Sequence, residues 1–221
     1  MTIELKDLTK SYGEKTILRD VNITLADGGF VMLNGESGAG KSTLLNIIGG
    51  LEQPTSGQII IGGKNVAEMN AKERTDFYRH TVGIIFQGSY LQPQLTLLEN
   101  ITLPGIFAGM DEKARIAKAE QLATTLGIAE QLKSLPKEVS GGQAERACIA
   151  RALLLDPKII LADEPTSDLD EANARIVLDI LNKIRQQLGV TIVVASHDKT
   201  VFEFATEVIS VAGGVVRTEK Q

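Results

Sequence analysis

Gly35-Glu36-Ser37-Gly38-Ala39-Gly40-Lys41-Ser42 puts two glycines, a lysine and a hydroxyl at the fixed positions of G-x-x-x-x-G-K-[ST]. That set can hold phosphate. Glycine lets the backbone curl until consecutive N–H groups point at one anion, and the start of a following helix adds partial positive charge. Lys41 then reaches the β- and γ-phosphates, and Ser42 offers a hard oxygen to Mg²⁺. A flexible glycine turn with an exposed lysine is the other reading. The apolar strand pattern Phe30-Val31-Met32-Leu33-Asn34 before the loop, and the helical pattern from Lys41 to Ile48 after it, favour the cradle.

Two further clusters could do chemistry. Ile159-Ile160-Leu161-Ala162 runs into Asp163-Glu164, and open parallel sheets place ligand sites at the carboxyl ends of their strands. Asp163 suits Mg²⁺ held through its water shell, and Glu164 suits orienting and deprotonating an attacking water. Taken alone, such a pair is also a common solvated strand end; beside the cradle, function is favoured. Ser140-Gly141-Gly142-Gln143 precedes a helical stretch from Ala144 to Leu155, so a hydroxyl and two glycine amides sit at another helix start. A simple N-cap and a second phosphate device both fit these residues. A site shared between two chains would explain two anion cradles in one short chain.

The elements that must position these residues alternate along the chain. Ile3, Leu5 and Leu8, then Ile17, Leu18, Val21, Ile23 and Leu25, broken at Gly13, predict antiparallel strands. Gln58-Ile59-Ile60-Ile61 before Gly62-Gly63 predicts a hairpin, and Val82-Gly83-Ile84-Ile85-Phe86 a core strand. From Gln87 to Pro157 the pattern turns to helices and loops, with Ala119, Leu122, Ala123 and Leu126 on one apolar face. Strand character resumes at Ile159. A helix with Ile176, Val177, Ile180, Leu181, Ile184 and Leu188 on its buried side follows, then Thr191-Ile192-Val193-Val194-Ala195. Strands alternating with helices imply an α/β fold with a largely parallel, covered sheet. The expected organisation is one domain, 1–221, in which 1–87 and 157–221 form the core with an N-terminal antiparallel β subdomain and 88–156 an inserted α-helical subdomain. Thr218-Glu219-Lys220-Gln221 reads as a frayed tail.

The bulk composition narrows the function classes. With 221 residues, 43% hydrophobic and 23% charged, the chain can bury a sizeable core and is neither disordered nor fibrous. It has no apolar run of about 18 residues that would span a bilayer, so a membrane role is expected to come through a partner. A net charge of -5 argues against nucleic acid as a partner. The single Cys148 cannot form an internal disulfide and reads as a small buried hydrophobe. His80 reads as a solvated residue near a helix end.

In the order and spacing of these motifs, over nearly its whole length, the chain resembles ABC-type ATPases, which implies a P-loop NTPase (RecA-like) core. The resemblance implies Mg-ATP as substrate and metal. It counts Gly35, Glu36, Ser37, Gly38, Ala39, Gly40, Lys41, Ser42 and Thr43 as nucleotide-binding, with Ser42, Gln87 and Asp163 around the metal. It implies that Ser140, Gly141, Gly142 and Gln143 of one copy close on the γ-phosphate held by the other, so that two ATPs are sandwiched in a head-to-tail dimer. Glu164, Gln87 and His197 are the implied catalytic residues, with Gln87 also sensing a membrane partner and His197 contacting the γ-phosphate. Tyr12 would stack on adenine, and Ser167-Asp168-Leu169-Asp170 would form the loop at the dimer interface. Without the resemblance, Tyr12, Gln87 and His197 read as a packed aromatic, a loop amide and a capping histidine. The chain departs from the pattern at Val139, where Leu is common, at Ala144-Glu145, where a pair of polar residues is more frequent, and at Asp168, where a small residue is expected. A carboxylate at that last position bears on dimer tightness and turnover.

Within the family, Ile48-Gly49-Gly50-Leu51, Pro54-Thr55-Ser56-Gly57, Leu95-Thr96 with Glu99-Asn100-Ile101, and Leu161-Ala162-Asp163-Glu164-Pro165-Thr166 resemble the MacB and LolD-like exporters. Leu33-Asn34-Gly35, Phe86-Gln87-Gly88-Ser89-Tyr90-Leu91 and His197-Asp198 with Phe202-Glu203 are similar to HrtA-type haem-exporter ATPases. The implied partner is an FtsX-like or MacB-like transmembrane permease on a separate chain, which holds the ATPase at the cytoplasmic face of the cell membrane. FtsE-like control of cell-wall enzymes, without transport, would use nearly the same motifs.

Overall fold

Alternating burial in the first 25 residues produces two long antiparallel strands, β1 (Ile3–Tyr12) and β2 (Lys15–Leu25), in the computed structural model, which describes residues 1–219. β3 (Phe30–Asn34) leads through the glycine loop into α1 (Lys41–Ile48). β4 (Ser56–Ile61) pairs antiparallel with β1 and turns at Gly62-Gly63 into the short β5 (Lys64–Asn65). α2 (Ala71–His80) and β6 (Val82–Ile85) follow. A helical region then holds α3 (Leu97–Ala108), α4 (Glu112–Thr125) and α5 (Gly141–Leu153). β7 (Ile159–Asp163), α6 (Glu171–Leu188), β8 (Thr191–Ser196), the short α7 (Lys199–Phe202), β9 (Glu207–Ala212) and β10 (Val215–Glu219) complete the described chain.

Two sheets result. The first is antiparallel, in the order β2-β1-β4-β5; the second runs β10-β9-β3-β8-β7-β6, parallel except for the edge strand β10. The continuous apolar runs of β3, β7 and β8 follow from burial on both faces. Phe30, Met32, Ile160, Ala162, Ile192 and Val194 pack on one side with Val177, Leu178 and Leu181 of α6. Val31, Leu33, Leu161, Val193 and Ala195 pack on the other with Leu44 and Ile48 of α1 and the inner face of the antiparallel sheet.

Register fixes where the strands end. Asn34 pairs with Ser196, Asp163 with Ala195 and Ile85 with Ala162, so the carboxyl ends of β3, β8, β7 and β6 reach one level. Each of the four then continues into a loop carrying a residue expected to do chemistry.

Several expectations change in detail. α2 was not legible as an apolar stripe, because Phe77 is its one buried residue; its start is marked by a capping box in which Asn70 and Glu73 satisfy each other's backbone N–H. Ile176 and Leu188 lie on the exposed side of α6, 46% and 60% accessible, while Ala174 and Leu178 complete the buried stripe. Phe86 lies beyond the end of β6 and is exposed. Thr218 and Glu219 are not a frayed tail: they pair with Ile209 and Val208 in the terminal hairpin, and Lys220 and Gln221 lie outside the described residues. His80 is the exposed last residue of α2, as expected. Cys148 is buried, its thiol donates to the Ser89 carbonyl, and burial pushes its pKa up to about 12.

Leu33 is fully buried one residue before the end of β3. Leu33→Ala is expected to lower unfolding free energy by about 2–5 kcal/mol in urea melts followed by circular dichroism. A loss below about 1 kcal/mol would show that this strand is not held by two-sided packing.

Candidate active site

The loop after β3 needs its glycines for two different reasons. A Cβ on Gly35 would lie 2.3 Å from the Val211 carbonyl oxygen, and Gly40 sits at φ +107° with a Cβ position 2.9 Å from Ile17. Gly35 thus permits a close backbone approach, and Gly40 a left-handed turn into α1. Lys41 folds back over the loop, its Nζ donating to the carbonyls of Gly35 at 2.8 Å and Glu36 at 3.2 Å.

At the ends of β7 and β8 a polar network surrounds Glu164. Its Oε1 lies 2.9 Å from His197 Nδ1 and 3.7 Å from Lys41 Nζ, while Ser196 Oγ donates to Oε2 at 3.4 Å. Glu164 has φ +46°, a left-handed conformation that costs a non-glycine residue about 1–2 kcal/mol. Its N–H bonds the Ala195 carbonyl at 2.8 Å, tying the strained residue to the neighbouring strand. Ser42 Oγ donates to Asp163 Oδ1 at 3.0 Å. Burial raises the Asp163 pKa, and the Glu164 charge adds to this, while the Ser42 hydrogen bond and Lys41 oppose it.

Tyr12, Ile17, Ser37, Gly38, Gly40, Lys41, Ser42, Thr43, Gln87, Glu164 and His197 line one cleft of about 280 Å³. An adjoining cleft brings Ser42, Gln87 and Asp163 together. Residues far apart in the chain therefore meet around one volume. The Tyr12 ring is held from outside it: its hydroxyl donates to Glu52, Lys10 Nζ sits 4.6 Å from the ring centroid, and Lys10 pairs with Glu52 at 2.9 Å. The oxygen donors Ser42 and Asp163 fit a hard cation. Among the described residues no group of three or more His, Cys, Asp or Glu could hold a metal, so an ion here would need phosphate or water for the rest of its shell.

Ser140, Gly141, Gly142 and Gln143 do not join that cleft within one chain. They begin α5, where Ser140 Oγ accepts from Gln143 N–H at 3.3 Å and Gln143 Oε1 accepts from Ser140 N–H at 2.9 Å. The N-cap reading is thus realised. In the neighbouring loop Ser167 N–H bonds the Glu164 carbonyl, Leu169 N–H bonds Thr166, and Asp170 caps α6 through Asn173. The backbone bond from Asn173 lowers the Asp170 pKa.

A family model described as ABC transporter matches residues 18–167, well over half of the chain. The chain belongs to the ABC transporter ATPase family. HrtA of Staphylococcus epidermidis, whose name assigns it to hemin import, is 40% identical over 98% of this chain and 99% of its own length. The lipoprotein-releasing system ATP-binding protein LolD of Geobacter metallireducens is 38% identical over 97% of each chain. The macrolide export ATP-binding/permease protein MacB of Mannheimia succiniciproducens is 40% identical over 99% of this chain, which spans 34% of MacB. A solved ATP-binding cassette, dimeric in a post-hydrolysis state with ADP and Pi, superposes with TM-score 0.90 at 38% identity, covering 99% of this chain and 98% of the other. The fold is accordingly the ABC cassette fold, with its antiparallel β subdomain, mixed core sheet and helical region. The protein is an ATP-hydrolysing subunit energising an ABC transporter of the LolD, MacB and HrtA type.

Sequence reading missed Ser196, Lys10, Glu52 and Ile17. Ser196 left a signal, a polar residue ending an apolar strand directly before His197. Lys10 and Glu52 left none, because their partnership with Tyr12 exists only once β1 lies beside the loop after α1.

The left-handed backbone at Glu164 is testable apart from its side chain. Glu164→Gly and Glu164→Ala both delete the carboxylate, and Gly is expected to be the more stable by about 1 kcal/mol in denaturant melts. If the alanine variant is equally or more stable, the strain is not present.

Proposed function

We propose that ATP and Mg²⁺ join two copies of this ABC ATPase head to tail, and that closing and opening of the pair drives export through a MacB-like or FtsX-like permease on a separate chain. The observation that carries this is the single cleft gathering Lys41, Ser42, Gln87, Glu164 and His197, with the Ser140–Gln143 helix start left outside it. Gly35, Glu36, Ser37, Gly38, Ala39, Gly40, Lys41, Ser42 and Thr43 would bind the phosphates. Tyr12 would stack on the base, pre-oriented by Glu52 and Lys10. Bound Mg²⁺, near Ser42, Asp163 and Gln87, would supply positive charge to the phosphate oxygens. Lys41 would leave the Gly35 and Glu36 carbonyls for the phosphates, releasing its hold near Glu164. Glu164 would then orient water and accept its proton, with His197 and Ser196 fixing the carboxylate. Ser140, Gly141, Gly142 and Gln143 of the second copy would complete the γ-phosphate shell, next to Ser167, Asp168, Leu169 and Asp170 at the interface. Residues 88–156 would move as the signature-bearing lobe of the domain formed by 1–221.

Phe86, Tyr90, Ile106 and Phe107 are exposed apolar side chains, and a groove of about 290 Å³ beside them is lined by Tyr78, Val82, Phe86, Tyr90, Pro104 and Leu155. This face, starting one residue from Gln87, is the proposed seat of the permease at the cytoplasmic face of the membrane. Among the described residues no helix is long and apolar enough to cross a membrane. Haem is the proposed cargo, on the likeness to HrtA; the direction proposed is outward, as in the names of MacB and the lipoprotein-releasing LolD, whereas HrtA's own name says import.

Removing the base should spare binding. Glu164→Gln is expected to bind ATP as wild type does, to accumulate as a nucleotide-bound dimer and to lose at least about 100-fold in turnover; wild-type turnover would disprove the assignment. Lys41→Ala is expected instead to weaken nucleotide binding, and unchanged affinity in a titration would count against the cradle. Affinity purification from native membranes tests the transport reading. Recovery of a permease with haem-stimulated turnover supports it, while recovery of cell-wall enzymes with no responsive cargo replaces it with regulation.

A further inference from the structure

Two of the positions at which the sequence departs from the family pattern, Glu145 and Asp168, face the same small cavity. This space of about 60 Å³ is bounded by Gly141 and Glu145 of α5, by Gly88 and Ser89 after Gln87, and by Glu164, Ser167 and Asp168 after β7. Glu145 is 93% buried on its 7% accessibility, and its Oε1 has no hydrogen-bond partner. A buried carboxylate without a donor is costly, and a proton on it removes the charge. The charged groups around it are Arg146 and Arg151 on its own helix and Glu164 and Asp168 on the facing loop. Neither arginine neutralises it by hydrogen bonding: Arg151 donates to the Tyr90 carbonyl at 2.9 Å and reaches Cys148 Sγ, and Arg146 Nε is itself buried without a partner. Burial pushes the Glu145 pKa up to about 7; Arg151 pulls it down, and Asp168 pushes it further up.

We propose that Glu145 is a positioning residue that acts through Asp168, setting how the interface loop sits against the signature helix, so that protonation of this one side chain favours closure of the two copies. Neutral, Glu145 offers an O–H to the acceptors of the loop. Ionised, it repels Asp168 across the cavity and pushes the loop from the helix. The effect on the loop stands on this geometry alone; the effect on closure rests on the two-copy reading proposed above.

The direction with pH follows from linkage. A carboxyl whose folded pKa is raised stabilises the fold fully below its unfolded value, and that contribution is lost as pH rises through the folded value, here from about 4.5 to about 7. The test compares wild type, Glu145→Gln and Asp168→Asn between pH 5 and pH 8 on buffer scales. In thermal melts of the isolated protein, the wild-type midpoint should fall with rising pH relative to Glu145→Gln, which keeps a neutral donor throughout. Asp168→Asn should move that fall to lower pH, because the charge that raises the Glu145 pKa is gone. In ATP turnover at saturating Mg-ATP, the ratio of Glu145→Gln to wild type should rise from pH 6 to pH 8 by up to about tenfold, the change in protonated fraction for a midpoint near 7. Parallel melting profiles for wild type and Glu145→Gln would overturn the proposal. Divergent melting with a flat turnover ratio would overturn the link to closure. Absence of turnover in all three proteins would instead count against the two-copy reading, with the melts still deciding the role of Glu145.

Discussion

In-register pairing of four parallel strands is the constraint on which the rest of this protein depends. Because β3, β8, β7 and β6 end at one level, the residues that follow them are delivered to one cleft without any long connecting loop. A one-residue slip of β7 would turn Asp163 and Glu164 to opposite faces from those they now occupy. The packing that prevents a slip is two-sided: α6 on one face, and α1 with the antiparallel sheet on the other. Stability and chemistry therefore share one origin, the apolar runs of these strands, buried on both faces.

On the two-copy reading proposed above, that register assembles half of a site. Glu164 is held in a left-handed conformation by a backbone bond to β8, and its carboxylate is shared among His197, Ser196 and Lys41. The lysine is satisfied by its own loop, and the Ser140–Gln143 cap is satisfied by its own helix. Each part rests in a closed set of local bonds that a nucleotide and a second copy would have to exchange for new ones. A resting chain with its donors occupied in this way is a physical reason for turnover to depend on assembly. The strained Glu164 and the buried carboxyl of Glu145 line the same small cavity, so the loop that carries Ser167 and Asp168 is in contact with both the strand end and the start of α5.

Legibility from sequence followed the range of each interaction. The phosphate loop, the strand ending in Asp163-Glu164 and the helix start at Ser140 are local, and residue types at fixed spacing were enough to find them. The bounds of α1 were read to the residue, since the glycine turn and the terminal Ile48-Gly49 delimit it. α2 was not found because its stripe is nearly all polar, although Asn70 and Glu73 carried its start. Ile176 and Leu188 were placed on the wrong side of α6 because apolar type was given more weight than the 3.6-residue period that selects Ala174, Val177, Leu178 and Leu181. The clasp of Lys10 and Glu52 on Tyr12, and the meeting of Glu145 with Asp168, join segments distant in sequence and have no local signature.

Completion of one chain's cleft by the other chain's helix start can be tested by mixing two inactive variants. Lys41→Ala disables the cradle and Ser140→Arg blocks the helix start. Each homodimer then carries two broken sites, whereas a head-to-tail mixed dimer pairs one intact cradle with one intact helix start. Neither variant should hydrolyse ATP alone, and turnover should appear on mixing. Turnover by Ser140→Arg alone, or none in the mixture while both variants bind their expected partners, would contradict a site shared between two copies.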